Sequence, residues 1–470
     1  MNSRPNVLIV AYIFPPIGGG GVPRPLKMAK YLGEFGWGVH VLTADPAYHA
    51  TLDQSLLAQL PNDVTIHRAK EFSLMQRSAA VAAQPASSTS VQPGRQQAAQ
   101  SFAAKAKRAV ISMLKKVKPY LMIPDDQILW YPEAVKRGRE VMNAAKIDVI
   151  FSTSGPVTNH LVAKKLAEEF GCRWIADFRD PWTQNMHRSG IAWRERLEER
   201  MEARVMSKAD AITTVTATFA DNFRKKYGQR IQRMELIYNG FDQADFGDLA
   251  PAEVPEAKGK LHGVYAGILY QKRNPRLLLR AIRELIDEGK VAQDDLLLTF
   301  AGVFDYPGYS ENADCVKELN LESIIRIVGN LPHKDALQLM KAADFQLLIG
   351  DVSADAGAYI PGKLYEYMGI GKPILALNMA GEATEIIQRF ELGQVANPTD
   401  KLEIKEAFYR LYQDWKAKEE ATSDEGDRRS ADFFERVKPY ERREQARQLA
   451  SLMDELIQRA DQQQQQLGES

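Results

Sequence analysis

Three observations predict an α/β chain built from two doubly wound, Rossmann-like halves. Short apolar runs alternate with helix-length amphipathic stretches almost from end to end. The runs are apolar throughout rather than at every second residue, as in strands buried on both faces of a parallel sheet. The length of 470 residues exceeds what one ordinary core accommodates and suits two or three domains.

In the first half VLIVAYI, VHVL, DVIFSTS, RWIADF, AITTV and MELIY read as strands. In the second half HGVYAGI, LLLTFAG, IIRIVG, FQLLIG and PILAL do. Between them lie amphipathic stretches of helical length, about 10 to 18 residues each. The run NGFDQADFGDLAPAEVPEAKG is rich in Pro, Ala and acids and separates the two sets, as domain linkers do. The predicted organisation is an N-terminal domain over 1–245 with an insert at 72–124, then a C-terminal domain over 258–432. A helical segment follows over 433–460, and the glutamine-rich end, 461–470, is expected to be disordered.

Composition excludes several classes. Sixty-one basic and sixty-one acidic residues give a net charge of zero, so nothing marks a nucleic-acid partner. Cys172 and Cys315 are the only cysteines, too few for a structural zinc site or a disulfide framework. No carboxylate or histidine cluster has ligand spacing, so no metal is expected. The opening run is too short and wrongly flanked for a signal peptide, and no stretch reaches the roughly 18 to 20 apolar residues of a membrane span. The expected location is the cytoplasm, with a membrane surface as the alternative.

The stretch AYIPGKLYEYMGIGKPILALNMAGEATE, residues 358–385, carries the most chemistry. A helix should start at Gly362-Lys363, carry Glu366 on its second turn and lead through Gly371 into the strand ILAL. A second turn at Gly381 opens another helix, with Glu382 and Glu385. Two helix N-termini at the carboxyl ends of parallel strands offer free N–H groups and partial positive charge to an anion. The diphosphate of a sugar nucleotide fits that arrangement, with Glu366 accepting from ribose hydroxyls. The plain alternative is a helix that caps itself beside a core strand. Upstream, Lys272 and Arg273 precede another helix start; Arg273 can fork onto a diphosphate where a lysine acts as a point charge.

In the first half, strand VLIVAYIF runs into Pro15-Pro16 and the tetraglycine Gly18–Gly21. The spacing fails the dinucleotide fingerprint, because the third glycine position is Pro23. Gly19 and Gly20 still let backbone N–H groups approach a phosphate or sugar closely, and Arg24 is the nearest fixed charge. A flexible loop is the alternative. The run Asp177-Phe178-Arg179-Asp180-Pro181-Trp182 ends another strand, where open α/β sheets place function. Asp177 or Asp180 is read as orienting an acceptor hydroxyl and Arg179 as steadying phosphate charge. His160, early on the preceding helix, is a further candidate base. The competing reading is an Arg179–Asp180 ion pair with Trp182 as a plug.

Residues 72–124 contain eight cations and no acid. From Phe102 to Leu121 the apolar residues share one helical face, Ile111 apart, and six cations share the other. Such a helix suits an anionic membrane surface, or else a core-facing helix with a solvated basic side.

Taken together, the Gly362–Glu366 helix start, the glycine-rich first loop and the Asn239-Gly240-Phe241-Asp242 turn resemble the family-4 glycosyltransferases of the GT-B fold, over nearly the whole chain. The resemblance implies two Rossmann-like domains facing a cleft, with the final helix returning to the first domain. It implies retaining, metal-independent transfer of a hexose-type sugar from a nucleoside diphosphate donor, with no cofactor. The acceptor would be a membrane-associated or lipid-linked glycan in bacterial cell-surface polysaccharide biosynthesis, and the enzyme peripheral on the inner face of the cytoplasmic membrane. By the same resemblance the donor-side set is Gly19, Gly20, Lys272, Arg273, Gly362, Lys363, Glu366 and Glu385. The catalytic set is Asp177, Arg179, Asp180 and His160. Two positions depart from the family. The first of its paired glutamates is Ala358 here, with Asp355 nearby, and one of its two expected cations is Ile268. These departures keep a sugar-nucleotide epimerase and a non-catalytic sugar-nucleotide-binding scaffold open as alternatives.

Overall fold

The computed structural model describes residues 4–49, 51–71, 120–184, 189–247, 249–353, 355–420 and 431–468. The basic helix expected over 102–121 therefore lies outside the described residues except for its last two. The chain divides into two units. One comprises Met1–Val215, Phe219–Ile237 and Ala446–Ser470; the other comprises Thr216–Thr218 and Tyr238–Gln445.

The first unit begins with β1 (Asn6–Val10), α1 (Pro23–Tyr31), β2 (Gly38–Ala44), β3 (Thr65–Ala69) and α2 (Tyr131–Ala144). It continues with β4 (Val149–Thr153), α3 (Thr158–Phe170), β5 (Arg173–Phe178) and α4 (Ala192–Lys208). Then come β6 (Ala211–Thr214), α5 (Ala217–Tyr227) and β7 (Met234–Leu236). The seven strands form one sheet in the order β3-β2-β1-β4-β5-β6-β7, all pairs parallel. The order reverses between β1 and β4, which makes the carboxyl ends of those strands the topological switch point.

The second unit holds β8 (Leu261–Ala266), α6 (Arg276–Asp287), β9 (Leu296–Ala301), α7 (Glu311–Glu318), β10 (Ile325–Gly329) and α8 (His333–Lys341). After these come β11 (Phe345–Ile349), α9 (Gly362–Ile370), β12 (Ile374–Leu377), α10 (Glu382–Arg389) and β13 (Gly393–Ala396). Helices α11 (Lys401–Glu420) and α12 (Ala431–Val437) follow, and then α13 (Arg442–Gly468), whose residues from Ala446 onward belong to the first unit. Its six strands run β10-β9-β8-β11-β12-β13, with the switch between β8 and β11.

Burial explains the apolar runs. Phe345, Leu347 and Ile349 of β11 enter one core cluster, while Leu348 between them enters the cluster on the opposite face. Helix α6 covers the first of these with Leu278, Leu279, Ala281, Ile282 and Leu285, all buried. Each fully buried Leu or Ile there contributes about 1.5 to 3 kcal/mol. In the first unit, Ala446, Leu449, Ala450, Leu452, Met453 and Leu456 of α13 share one core cluster with Val7, Ile9 and Val41.

Two strands differ from expectation. β3 and β13 were not legible because both are short, half-buried edge strands, TIHRA with two basic side chains and GQVA with a glycine and a glutamine. The end expected to be disordered is helical as far as Gly468. Glutamine is a good helix former, and the tract extends a helix already fixed by its buried first half. Among the described residues no helix is long and apolar enough to cross a membrane.

Candidate functional site

In the second unit the loops leaving β8, β10, β11 and β12 gather at the carboxyl edge of the sheet. The loop after β8 is tied to the loop after β11. Val352 N–H donates to Lys272 O at 3.2 Å, and Tyr270 Oη donates to Asp351 Oδ2 at 2.9 Å. Within the first of these loops Tyr270 and Arg273 exchange both backbone hydrogen bonds, at 2.9 and 2.8 Å. The Arg273 guanidinium lies 5.2 Å from the Tyr270 ring centroid. Its Nε is buried and has no hydrogen-bond partner among the described residues. A half-buried cation with an unused donor at a topological switch point is an anion-binding arrangement. Lys272 beside it is exposed.

The two predicted helix starts differ in how they are capped. At α9, Pro361 occupies the N-cap without any side-chain cap, and Gly362 is exposed, so the first N–H groups stand open. At α10, Thr384 Oγ1 accepts the Gly381 N–H at 3.0 Å, so that terminus is partly satisfied from within. The loops before these helices touch at Gly357 and Gly381, where a Cβ on either would strike the other's backbone or Ala380.

Glu366 is half-buried on α9. Lys363 Nζ donates to its Oε2 at 2.7 Å, and His333 Nε2 at the start of α8 stands 3.9 Å from its Oε1. Burial pushes the Glu366 carboxyl up, but His333 and Lys363 outweigh it and leave it below the usual range. It is a carboxylate with spare acceptor capacity. Lys363 is engaged by it rather than free for a diphosphate. Glu385 is exposed, whereas its neighbour Glu382 is buried and accepts from Tyr238 Oη at 2.7 Å and Ala217 N–H at 2.8 Å. Ala358 closes a short 3-10 turn, Ala356–Ala358, with Asp355 exposed before it, and Ile268 is exposed.

The first unit reverses part of the sequence expectation. Asp177 is fully buried, and Arg24 grips it bidentately, Nε to Oδ2 at 2.9 Å and Nη2 to Oδ1 at 2.7 Å. Thr153 and Thr213 hydroxyls donate to it at 2.7 Å each. Burial pushes this carboxyl up, but Arg24 and then the two threonines hold it down. With its acceptors occupied and no solvent access, Asp177 is a structural anchor rather than an acceptor-orienting group. Arg24 is likewise spent inside the sheet rather than on a ligand.

His160 is corrected on the same ground. It is fully buried, its Nδ1 2.8 Å from Ser152 Oγ and its ring 4.5 Å from that of Phe178. Burial lowers its pKa to about 3, so it is a neutral core imidazole out of reach of an acceptor. Arg179 acts as a staple. It donates from Nε to Ser154 O at 2.6 Å, from Nη1 to Gly21 O at 2.7 Å and from Nη2 to Gly155 O at 3.3 Å. Neither an Arg179–Asp180 ion pair nor a free phosphate clamp describes it. Gly19 and Gly20 remain open, with nothing within 4 Å of a Cβ placed on either. Asp180 is exposed and stays a candidate.

A residue the sequence reading missed is Glu202 of α4. Fully buried, it accepts from the Thr183 hydroxyl, from Thr183 N–H at 3.3 Å, from Tyr227 Oη and from Lys226 Nζ at 3.0 Å. It anchors the loop three residues after Asp180. Nothing local could have revealed it, because its partners come from the loop after β5 and from α5. Among the described residues no cluster of His, Cys, Asp and Glu could hold a metal ion.

Comparison with known proteins agrees with this architecture. Residues 19–240 match the glycosyl transferase 4-like domain, and residues 249–428 match glycosyl transferases group 1. A probable glycosyltransferase of Pseudomonas aeruginosa, WbjE, is 23% identical over 276 residues, 56% of this chain and 65% of the relative. The match thus spans slightly less than two thirds of that relative's length. HepE of Anabaena, solved in complex with UDP-glucose, superposes with a TM-score of 0.55 at 14% identity, over 96% of this chain and 99% of that one. Sucrose-phosphate synthase of Thermosynechococcus elongatus does so with 0.54 at 15% identity, over 96% and 99%. With two parallel Rossmann-like domains and a family match on each, the chain belongs to the GT-B glycosyltransferases of the family-4-like, group 1 kind.

Proposed function

We propose that this protein transfers a hexose-type sugar from a nucleoside diphosphate donor to a membrane-associated or lipid-linked glycan, with retention of configuration. The setting is bacterial cell-surface polysaccharide biosynthesis, on the inner face of the cytoplasmic membrane. The observation that carries the donor assignment is Arg273, whose buried Nε at the β8–β11 switch point has no partner among the described residues. The UDP-glucose bound by HepE is a donor of the same class.

Arg273, Lys272 and the uncapped start of α9 at Gly362 supply the positive charge that a leaving diphosphate needs, so no metal or cofactor is assigned. Glu366 accepts from the ribose, and Lys363 moves with it as its ion-pair partner. Glu385 is retained at the margin of the donor site, and Gly19 and Gly20 offer backbone N–H groups. Asp180 orients the acceptor hydroxyl, while Arg179 positions the loops around it. The leaving phosphate takes the proton, so a buried His160 is no obstacle. The basic stretch 72–124 supports an anionic membrane surface as partner, though its charged part lies outside the described residues.

The test is turnover of UDP-, GDP- and dTDP-sugars without acceptor, followed by product analysis. Slow release of free sugar and nucleoside diphosphate from one donor is expected. Epimerised donor, or binding without any turnover, would replace transfer by epimerisation or by a binding role.

A further inference from the structure

Among the described residues, none covers one face of helix α4. Trp193, Arg196, Leu197, Arg200, Arg204 and Lys208 are all exposed. At 3.6 residues per turn they fall within an arc of about 120°. The acids of the helix stand elsewhere. Glu202 is buried, Glu199 is half-buried with its charge near Tyr227, Glu198 takes Arg194 Nε at 2.6 Å, and Glu195 accepts the Gly190 N–H at 2.9 Å. Among the described residues no acid pairs with Arg196, Arg200, Arg204 or Lys208.

The start of this face is apolar. Arg194 donates to Pro124 O at 2.9 Å, which holds the preceding chain against α4, and the Tyr120 ring stacks on Trp193 with centroids 6.3 Å apart. Tyr120, Leu121, Trp193 and Leu197 are 51%, 69%, 49% and 38% exposed. Four large apolar side chains gathered in the open mark an interaction surface.

We propose that this face of α4, with Tyr120 and Leu121, docks onto an anionic lipid bilayer. Tryptophan and tyrosine favour the headgroup level, and long cationic side chains beside them reach lipid phosphates while their stems lie on the apolar boundary. A second copy of the chain fits poorly, since a two-fold contact would set four unpaired cations against their twins. Because α4 follows β5, its Trp193 end shares the carboxyl edge of the sheet with Asp180, so docking would bring that edge to a membrane-bound acceptor. The inference rests on the proposed function only for that purpose. Of the basic stretch upstream it uses only the uncharged Tyr120, Leu121 and Pro124 and none of its cations.

The experiment is sedimentation of the full-length protein with phosphatidylcholine vesicles, with and without phosphatidylglycerol, at low and high salt. The parent should sediment only with anionic vesicles at low salt, with a blue shift in tryptophan emission. Each reversed or removed cation should weaken partitioning about fivefold, so R196E/R200E/R204E should lose more than a hundredfold. W193A/L197A should lose binding and the blue shift. Donor turnover in the absence of vesicles should be unchanged in both variants, which separates failure of docking from failure of the proposed activity. Parent-like sedimentation of both variants would overturn the proposal, as would no sedimentation of the parent with anionic vesicles at low salt.

Discussion

Asp177 sits at the end of a strand with the composition of an active site, yet three side chains converge on it through four hydrogen bonds in the dry interior. Removing one partner of such a pair strands the other charge, at a cost of about 3 to 5 kcal/mol. Asp177→Asn should therefore lower stability by that order in chemical denaturation, and activity only as a consequence. Replacing both partners, as R24M/D177L, should cost less than the sum of the singles, because no charge is left unpaired. Additive losses would show that the pair is not the anchor described. Asp180, exposed next to it, belongs to a different experiment. Asp180→Asn should lower turnover strongly at unchanged donor affinity, measured by kinetics and calorimetry; an equal loss of both would make its loop structural.

Loops and helix starts carry the function proposed for this fold, and glycines decide how close they come. Gly155 has φ +81°, and a Cβ on it would lie 2.7 Å from Arg179 Nη2. Gly155→Ala should push the staple aside and loosen the tetraglycine loop that Arg179 holds through Gly21 O. Turnover should fall about tenfold or more while donor binding persists, since misplacement by ~1 Å can cost that and more. Unchanged turnover would remove Arg179 from the account. How much of this was legible follows from where the information lies. The start of α9 could be read from Gly362, Lys363 and Glu366 because a helix N-terminus is a local feature. The fates of His160, Asp177 and Glu202 could not, because each is fixed by partners from other strands or helices. Edge strands β3 and β13 escaped for a related reason, having too little buried surface to look apolar.

At the scale of the whole molecule, buried neutral histidine sets an acid limit. The folded pKa of His160 is about 3, well below that of an unfolded histidine. Its contribution is therefore present above about pH 6.5 and is lost as pH falls towards the folded value, roughly 2 kcal/mol by pH 5. His160→Asn should flatten this part of the stability–pH curve. An unchanged acid slope in that variant would contradict a buried neutral imidazole. Glu366 behaves differently: its carboxyl lies below the usual range, so donor binding through it should stay level down to about pH 5. The central claim, that the second domain binds a nucleoside diphosphate sugar through Arg273 and Glu366, is tested most directly by calorimetric titration of UDP, GDP and dTDP into the parent, Arg273→Ala and Glu366→Gln. The account predicts that one nucleotide binds the parent and that each substitution weakens it about 10- to 150-fold, the worth of one charge-assisted contact. Parent-like affinity in both variants would contradict it.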